Sequence, residues 1–435
     1  MVKLKRGSNH RFRRKSMDGN FMTSKIIPSK EPIIRVGIIL PADNIKNIEL
    51  ILSESDSFEI ETNEKIYPSC KNNSNITISI NDHRLRIDEL DVATQKIIIN
   101  PTIDSKKIFS MIKEVVAGRG FHWEKVVDIK YWGSLEFVIA ENNIMVINKL
   151  KLEDYLKCVA TSEMSQHCPK EFLISQTIVA RSWLLASSEQ KHKSLGFDVC
   201  NDDCCQRYQG MGNCTIESIE AANDSHGKVL IFDDSICDAR YSKSCGGKTE
   251  NYENVWSGKP VPYLISINDC DEKGVNYCNP SQFPDKSIAR FIGSVDEDLD
   301  YYHWNHEIEN KSIIKNLKND YDRHAKKIVN IIALKTGKSD RIYNLEVVYV
   351  DKENNEKSHI IESEYKIRDL LSNSFLFSSA FTIEKEEQGF NLNGKGWGHG
   401  VGLCQIGALG MALRGKNSNQ ILSHYYPGTE IKNLY

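Results

Sequence analysis

The chain has 435 residues, 40% of them hydrophobic and 26% charged, the balance of a folded protein and not of a disordered or collagen-like one. A formal net charge of −3 supplies no global basic field to recruit nucleic acid, and no apolar run approaches the ~18–20 residues of a membrane-spanning helix. At roughly 150 residues per domain the length suggests two or three units, and the 12 cysteines are too many to be incidental yet too dilute for a small disulfide scaffold.

Residues 1–30 are basic and polar, with Lys3, Lys5, Arg6, Arg11, Arg13, Arg14 and Lys15 crowded together, and read as a disordered tail. No apolar core follows at the spacing of a secretory signal. Ile33 to Leu40 reads as a first buried strand. Short β-rich runs follow at Glu59 to Thr62, Ile76 to Ile80 and Lys96 to Asn100, while Ser105 to Val116 has helical spacing. Residues 31–124 therefore read as a β-rich N-terminal module. Tyr131 to Ile139 and Asn143 to Leu150 alternate, which predicts a hairpin about Glu141-Asn142-Asn143.

Pro169 to Lys191 is the clearest helix, with proline suited to its first turn. Leu173, Thr177, Ala180 and Leu184 share a face, widened by Phe172, Val179, Trp183 and Ala186, and such a stripe is core. From Cys200 to Cys278 the pattern is irregular and rich in Cys, Gly and Asp. Residues 281–335 read as an insertion with charged helices, notably Ser312 to Val329. Arg341 to Val350 and Ser358 to Ser363 return to strand patterning. The chain then runs through a strand, a glycine-rich loop, a helix over Cys404 to Arg414 and a short helix ending at Tyr426-Pro427-Gly428.

Four constellations carry chemistry. Glu163 lies between two helical stretches beside Val159 and Met164. Partial desolvation there would favour the neutral acid that a general acid needs at neutral pH, although the same residue would also serve as a helix cap or surface glutamate. His192, Cys200, Cys204 and Cys205 could fill a tetrahedral zinc site, with disulfides or free thiols as the other readings of the cysteines. The turn from Ser242 to Glu250 holds paired glycines that let backbone amides approach a ligand, and contains Cys245. Gly394 to Gly402 is the densest glycine stretch; it fits neither dinucleotide nor phosphate-loop spacing. It could form one wall of a sugar groove, with Trp397 as a flat apolar face and His399 and Gln405 as hydrogen-bonding groups.

Read together and in order, these pieces resemble the SpoIID/LytB family, the stage II sporulation protein D type. The ordered set is Tyr131-Trp132-Gly133-Ser134-Leu135, Glu153-Asp154-Tyr155-Leu156, Ser162-Glu163-Met164, Gln176 to Trp183, and Cys205-Gln206-Arg207-Tyr208-Gln209-Gly210. Ser244-Cys245-Gly246-Gly247-Lys248-Thr249-Glu250, Val255-Trp256, Ile367-Arg368, Leu376, Ser378 to Phe381, Gly396 to Gly402, Gln405-Ile406-Gly407-Ala408 and His424 to Thr429 complete it. The resemblance covers roughly residues 125–435 apart from the insertion. It implies an α+β fold with a β-rich scaffold, one long core helix and a substrate groove.

It also implies a lytic transglycosylase that cuts between N-acetylmuramic acid and N-acetylglucosamine in peptide-stripped peptidoglycan strands. Glu163 matches the catalytic glutamate. Gln176, Arg181, Tyr208, Ser244, Cys245, Trp397, His399 and Gln405 are expected along the groove. His192, Cys200, Cys204 and Cys205 match the donors of a structural zinc, with Cys204-Cys205 standing where relatives often have His-Cys. Some relatives are amidase enhancers, which makes a peptidoglycan amidase the implied partner and a non-catalytic role the alternative. That substrate implies a cell-envelope or other extracytoplasmic location, against which stands the lack of a visible export signal. Cys270 and Cys278 are open between a disulfide and other roles.

Overall fold

The computed structural model describes residues 28–68, 74–121, 123–186, 189–256, 258–283, 288–292, 300 and 302–435. The expected disordered tail therefore lies, up to residue 27, outside the described residues.

The two most apolar strand segments of the first half pair with each other. Ile33–Ile39 runs antiparallel to Asn143–Lys151, from Ile33 opposite Lys151 to Ile39 opposite Val146. Asn143–Lys151 in turn pairs with Ser134–Ala140. The two residues joining them, Glu141 and Asn142, stand at φ 51° and 61°, the left-handed geometry that a tight hairpin turn matching strand twist requires. The sheet continues through Lys96–Pro101, Phe58–Thr62 and Ile66–Pro68, and Val199–Cys200 joins its other edge in parallel, giving seven strands. A second sheet has six strands, in the order Lys125–Tyr131, Ser110–Ala117, Asn47–Leu52, Asn75–Asn81, Arg84–Ile87 and Val92–Thr94.

Residues on both sides of 124/125 share these sheets and one apolar core, which includes Val36, Leu50, Ile60, Ile112, Phe137 and Val146. The expected N-terminal module is thus continuous with the segment beyond residue 124. The helix expected over Ser105 to Val116 is a strand, Ser110–Ala117. Its misleading spacing has a local cause. Glu114 sits at φ 56° in a bulge opposite Asp128, so the inward residues Ile112 and Val115 fall three apart instead of two.

Strand Asn143–Lys151 leads directly into α1 (Leu152–Glu163), and α2 (Lys170–Ala186) follows after a short turn. The remaining helices among the described residues are α3 (Ile216–Asp224), α4 (Ala289–Ile292), α5 (Asn310–Asp320), α6 (Glu364–Leu370), α7 (Gln405–Leu413) and α8 (Ser418–Tyr425). α2 is buried nearly all round, so its stripe serves two cores. Ala180 and Leu184 join the sheet core, whereas Phe172, Leu173 and Val179 join a second core with α7 and α8 residues such as Ile406, Leu409 and Leu422. None of the helices among the described residues is long and apolar enough to cross a membrane.

A third core runs from Ile308 to Leu392. It is not an excursion ending near residue 335. Strand His303–Glu309 pairs with Gly389–Lys395, and Ala325–Thr336 pairs with Ile342–Asp351. The expected helix over Ser312 to Val329 divides into α5 and the start of strand Ala325–Thr336, because Ile328 and Ile331 are taken up by the sheet face of this core.

Candidate active site

Glu163 is the last residue of α1 and is 9% exposed. An anion at a helix C-terminus meets the negative end of the helix dipole, so it needs compensating donors. Oε1 receives two: the Arg207 backbone N–H at 2.9 Å and the Tyr241 hydroxyl at 2.8 Å. Oε2 is left with the Gln405 amide at 3.5 Å. Burial and the charge of Glu163 push the Tyr241 phenol well above its usual range, which keeps it a donor. The Lys243 ammonium donates to the Glu163 backbone carbonyl at 2.7 Å.

Three separate segments bring these groups to the end of α1. Tyr241–Ser242 pairs in parallel with Leu403–Cys404, which sets Lys243 and Gln405 just beyond the paired residues. The glycine-rich loop lies against this pair. A Cβ on Gly402 (φ 72°) would stand 2.0 Å from the Arg240 carbonyl oxygen, and one on Gly400 (φ 75°) would stand 2.5 Å from the Arg341 guanidinium carbon. Close approach of chain and guanidinium therefore explains glycine at these two positions. The third segment is the loop 205–209: Gln209 N–H donates to Ser162 Oγ at 3.1 Å, next to the Arg207 contact with Glu163.

That third segment starts at a thiol cluster. The ligand atoms of His192, Cys200, Cys204 and Cys205 all lie within 4.8 Å of one another. Cys204 Sγ is 2.9 Å from Cys200 Sγ and 3.7 Å from His192 Nε2. Cys200 is anchored by the parallel pairing of Val199–Cys200 with Ile33–Ile39, and His192 stacks on Phe197 at 4.8 Å. One imidazole and three thiols at such spacing fit a tetrahedral thiophilic cation, and Cys205 lies only two positions before Arg207 in the chain.

A family model described as stage II sporulation protein matches residues 140–232, and a domain of unknown function (DUF8618) matches residues 250–402. An uncharacterized protein of Brachyspira hyodysenteriae (strain ATCC 49526 / WA1) is 31% identical over 303 residues, which covers 70% of this chain and 72% of the relative. Stage II sporulation protein D of Bacillus subtilis (strain 168) is 23% identical over 302 residues, 66% of this chain and 75% of that one. The chain belongs to the SpoIID family. The amidase enhancer of Bacillus subtilis (strain 168) is also similar, 27% identical over 299 residues that cover 63% of this chain and 40% of the enhancer. The stretch matched to the SpoIID model holds Glu163 and all four donors of the thiol cluster.

In this SpoIID chain several residues expected along a groove are packed inside instead. Arg181 is 0% exposed and forms a two-pronged ion pair with Glu153 across α1 and α2, at 2.8 Å and 2.5 Å. Tyr208 is 1% exposed and donates to Asn148 Oδ1 at 2.8 Å. Ser244 is fully buried, with its backbone paired to Trp397. Cys245 turns its thiol inward onto Asp269 Oδ2 at 3.1 Å and Cys278 Sγ at 3.6 Å. Burial takes these four away from a ligand because the two cores meet around them.

Gln405 and Gln176 are also buried but stay near the carboxyl, with Gln405 Nε2 3.4 Å from Gln176 Oε1. Trp397 and His399 are half-buried. Trp397 tilts against Phe377 at 4.6 Å, and His399 meets Trp256 edge-on at 4.8 Å. Burial and the charges of Arg240, Arg341 and Arg368 hold the His399 imidazole well below its usual range, hence neutral, with Nδ1 accepting from the Val401 N–H. Cys270 and Cys278 are both free thiols. Tyr241, Lys243 and Arg207 were missed as site residues; their one signal was position beside the motif turns, since backbone N–H and carbonyl contacts leave no mark on composition.

Proposed function

We propose that this SpoIID-family protein is a peptidoglycan lytic transglycosylase acting on peptide-stripped glycan, with Glu163 as its single general acid and base. The observation that carries the reading is the asymmetry of the carboxyl. Oε1 accepts two hydrogen bonds, so in the acid form the proton belongs on Oε2, which among the described residues has only the distant Gln405 amide beside it. Oε2 then donates to the glycosidic oxygen as the bond to the anomeric carbon breaks. The muramyl primary hydroxyl closes onto that carbon, and Oε2 takes back the hydroxyl proton. No water needs activating, so the second carboxylate of a hydrolytic glycosidase is not required.

Tyr241 and the Arg207 N–H hold the carboxyl in place and stabilise its ionised form after the first transfer. His192, Cys200, Cys204 and Cys205 would hold zinc, which supplies a closed structural clamp on the loop that presents Arg207. The names of the relatives, stage II sporulation protein D and amidase enhancer, support a role on peptidoglycan.

Purified peptide-free glycan and mass spectrometry test the reading. Anhydro-muramyl ends are expected from the wild type. Glu163→Gln should keep the fold and glycan binding while lowering product release by about 10²- to 10⁴-fold; undiminished release refutes the role of Glu163. New reducing ends would mean hydrolysis. Absence of product combined with stimulation of a peptidoglycan amidase would favour the second reading, an amidase enhancer, which the Bacillus subtilis relative supports.

A further inference from the structure

Behind the strand pair that carries Tyr241 and Leu403, a second donor cluster is assembled from four distant segments. The ligand atoms of Cys245, Asp269, Cys278 and Cys404 lie within 4.8 Å of one another. Exposure is 0% for the first three and 1% for Cys404. Cys245 Sγ is 3.6 Å from Cys278 Sγ and 3.1 Å from Asp269 Oδ2. A tetrahedron with metal–sulfur bonds of about 2.3 Å has edges of about 3.8 Å, so these separations are those of ligands around one ion.

The surroundings are arranged for anionic sulfur. Cys404 Sγ accepts from the N–H groups of Cys245 at 3.2 Å and Gly407 at 3.3 Å, and Cys278 Sγ accepts from the Gly247 N–H at 3.2 Å. Tyr425 donates to Asp269 Oδ1 at 2.6 Å, with His424 Nε2 at 3.6 Å, which turns Oδ2 toward the thiols. The buried Arg341 donates to the carbonyl oxygens of Cys245 at 3.1 Å and Ser244 at 3.3 Å, placing a fixed positive charge beside the group. A Cys245–Cys278 disulfide would leave the convergence of Cys404 and Asp269 Oδ2 without a purpose, whereas a four-coordinate ion uses all four.

We propose that Cys245, Cys278, Cys404 and Asp269 bind a zinc ion, distinct from any held by His192 and its neighbours. Three sulfurs and one oxygen suit zinc, and with every position filled by protein the site is structural. Its effect is positional. Cys245 follows Lys243 by two residues and Cys404 immediately precedes Gln405, so the ion ties down from behind the two segments that close around Glu163. The inference stands apart from the reaction assigned to Glu163.

The test is metal stoichiometry on the full chain, purified with reductant, by elemental analysis of zinc and by anaerobic titration with cobalt(II). The wild type should hold two equivalents, both giving the near-ultraviolet charge-transfer bands of thiolate ligation. His192→Ala/Cys204→Ala should retain one equivalent with those bands, and Cys278→Ala should also retain one. Metal content unchanged by Cys278→Ala in a folded protein overturns the proposal, as does complete loss of cobalt binding in a folded His192→Ala/Cys204→Ala protein, or a Cys245–Cys278 disulfide in peptide maps of the reduced preparation. If Cys278→Ala fails to fold, the folded His192→Ala/Cys204→Ala protein decides, one thiolate-bound equivalent supporting the proposal and none overturning it.

Discussion

Two residues beside one another show how unequal environments divide the work. The Glu163 carboxyl is pinned through Oε1 by two donors, while Oε2 has the more distant Gln405 amide beside it, an inequality that the proposed single-proton role would use. Lys243 is half-buried, and burial together with the charge of Arg207 pushes its ammonium down to about 8 from 10.5, against the pull of Glu163. Between those values the unfolded chain holds a proton that the folded chain has released. Folding is therefore penalised below about pH 8, and the penalty fades as pH rises toward 10.5. Lys243→Met should be more stable than the wild type by about 1–2 kcal/mol at neutral pH, after allowance for partial exposure and the lost hydrogen bond to the Glu163 carbonyl. Urea unfolding across the alkaline range should show that difference vanish; a constant difference would contradict the account.

At the scale of elements, α1 and α2 are locked by the Arg181–Glu153 pair, which also engages Tyr435 and the Lys228 carbonyl. Arg181→Met strands the Glu153 carboxylate in the interior and should cost about 3–5 kcal/mol, whereas adding Glu153→Leu should recover most of it. A thermal-melting cycle measures both, and a large loss of glycan affinity at unchanged stability would return Arg181 to the substrate. The loop 205–209 is the other element that matters. Stripping its clamp through His192→Ala/Cys204→Ala should remove one zinc and slow anhydro-product formation by about 10- to 100-fold while the strand signal in circular dichroism persists.

Much of this level was legible in the residues. The Glu141-Asn142 hairpin, α2, α7 and the proximity of His192 to the cysteines of its loop are written in local spacing. The strand Ser110–Ala117 was not, because the bulge at Glu114 breaks alternation into a helix-like period.

At the scale of the molecule, α2 and Arg341 connect three of the cores. α2 faces two of them, and Arg341, just before the third core's strand Ile342–Asp351, reaches back to the Cys245, Ser244 and Gly398 carbonyls. Linear order by itself determined the ordered motifs, hence the family, the glutamate to examine and the first donor cluster, because those features lie within short stretches of chain. Only tertiary packing decided that Arg181 and Tyr208 are interior supports and that Tyr241 and Arg207 grip the carboxyl. It alone gathered Cys245, Asp269, Cys278 and Cys404. Burial and convergence are properties of surfaces brought together from distant segments, and no local spacing encodes where those surfaces meet.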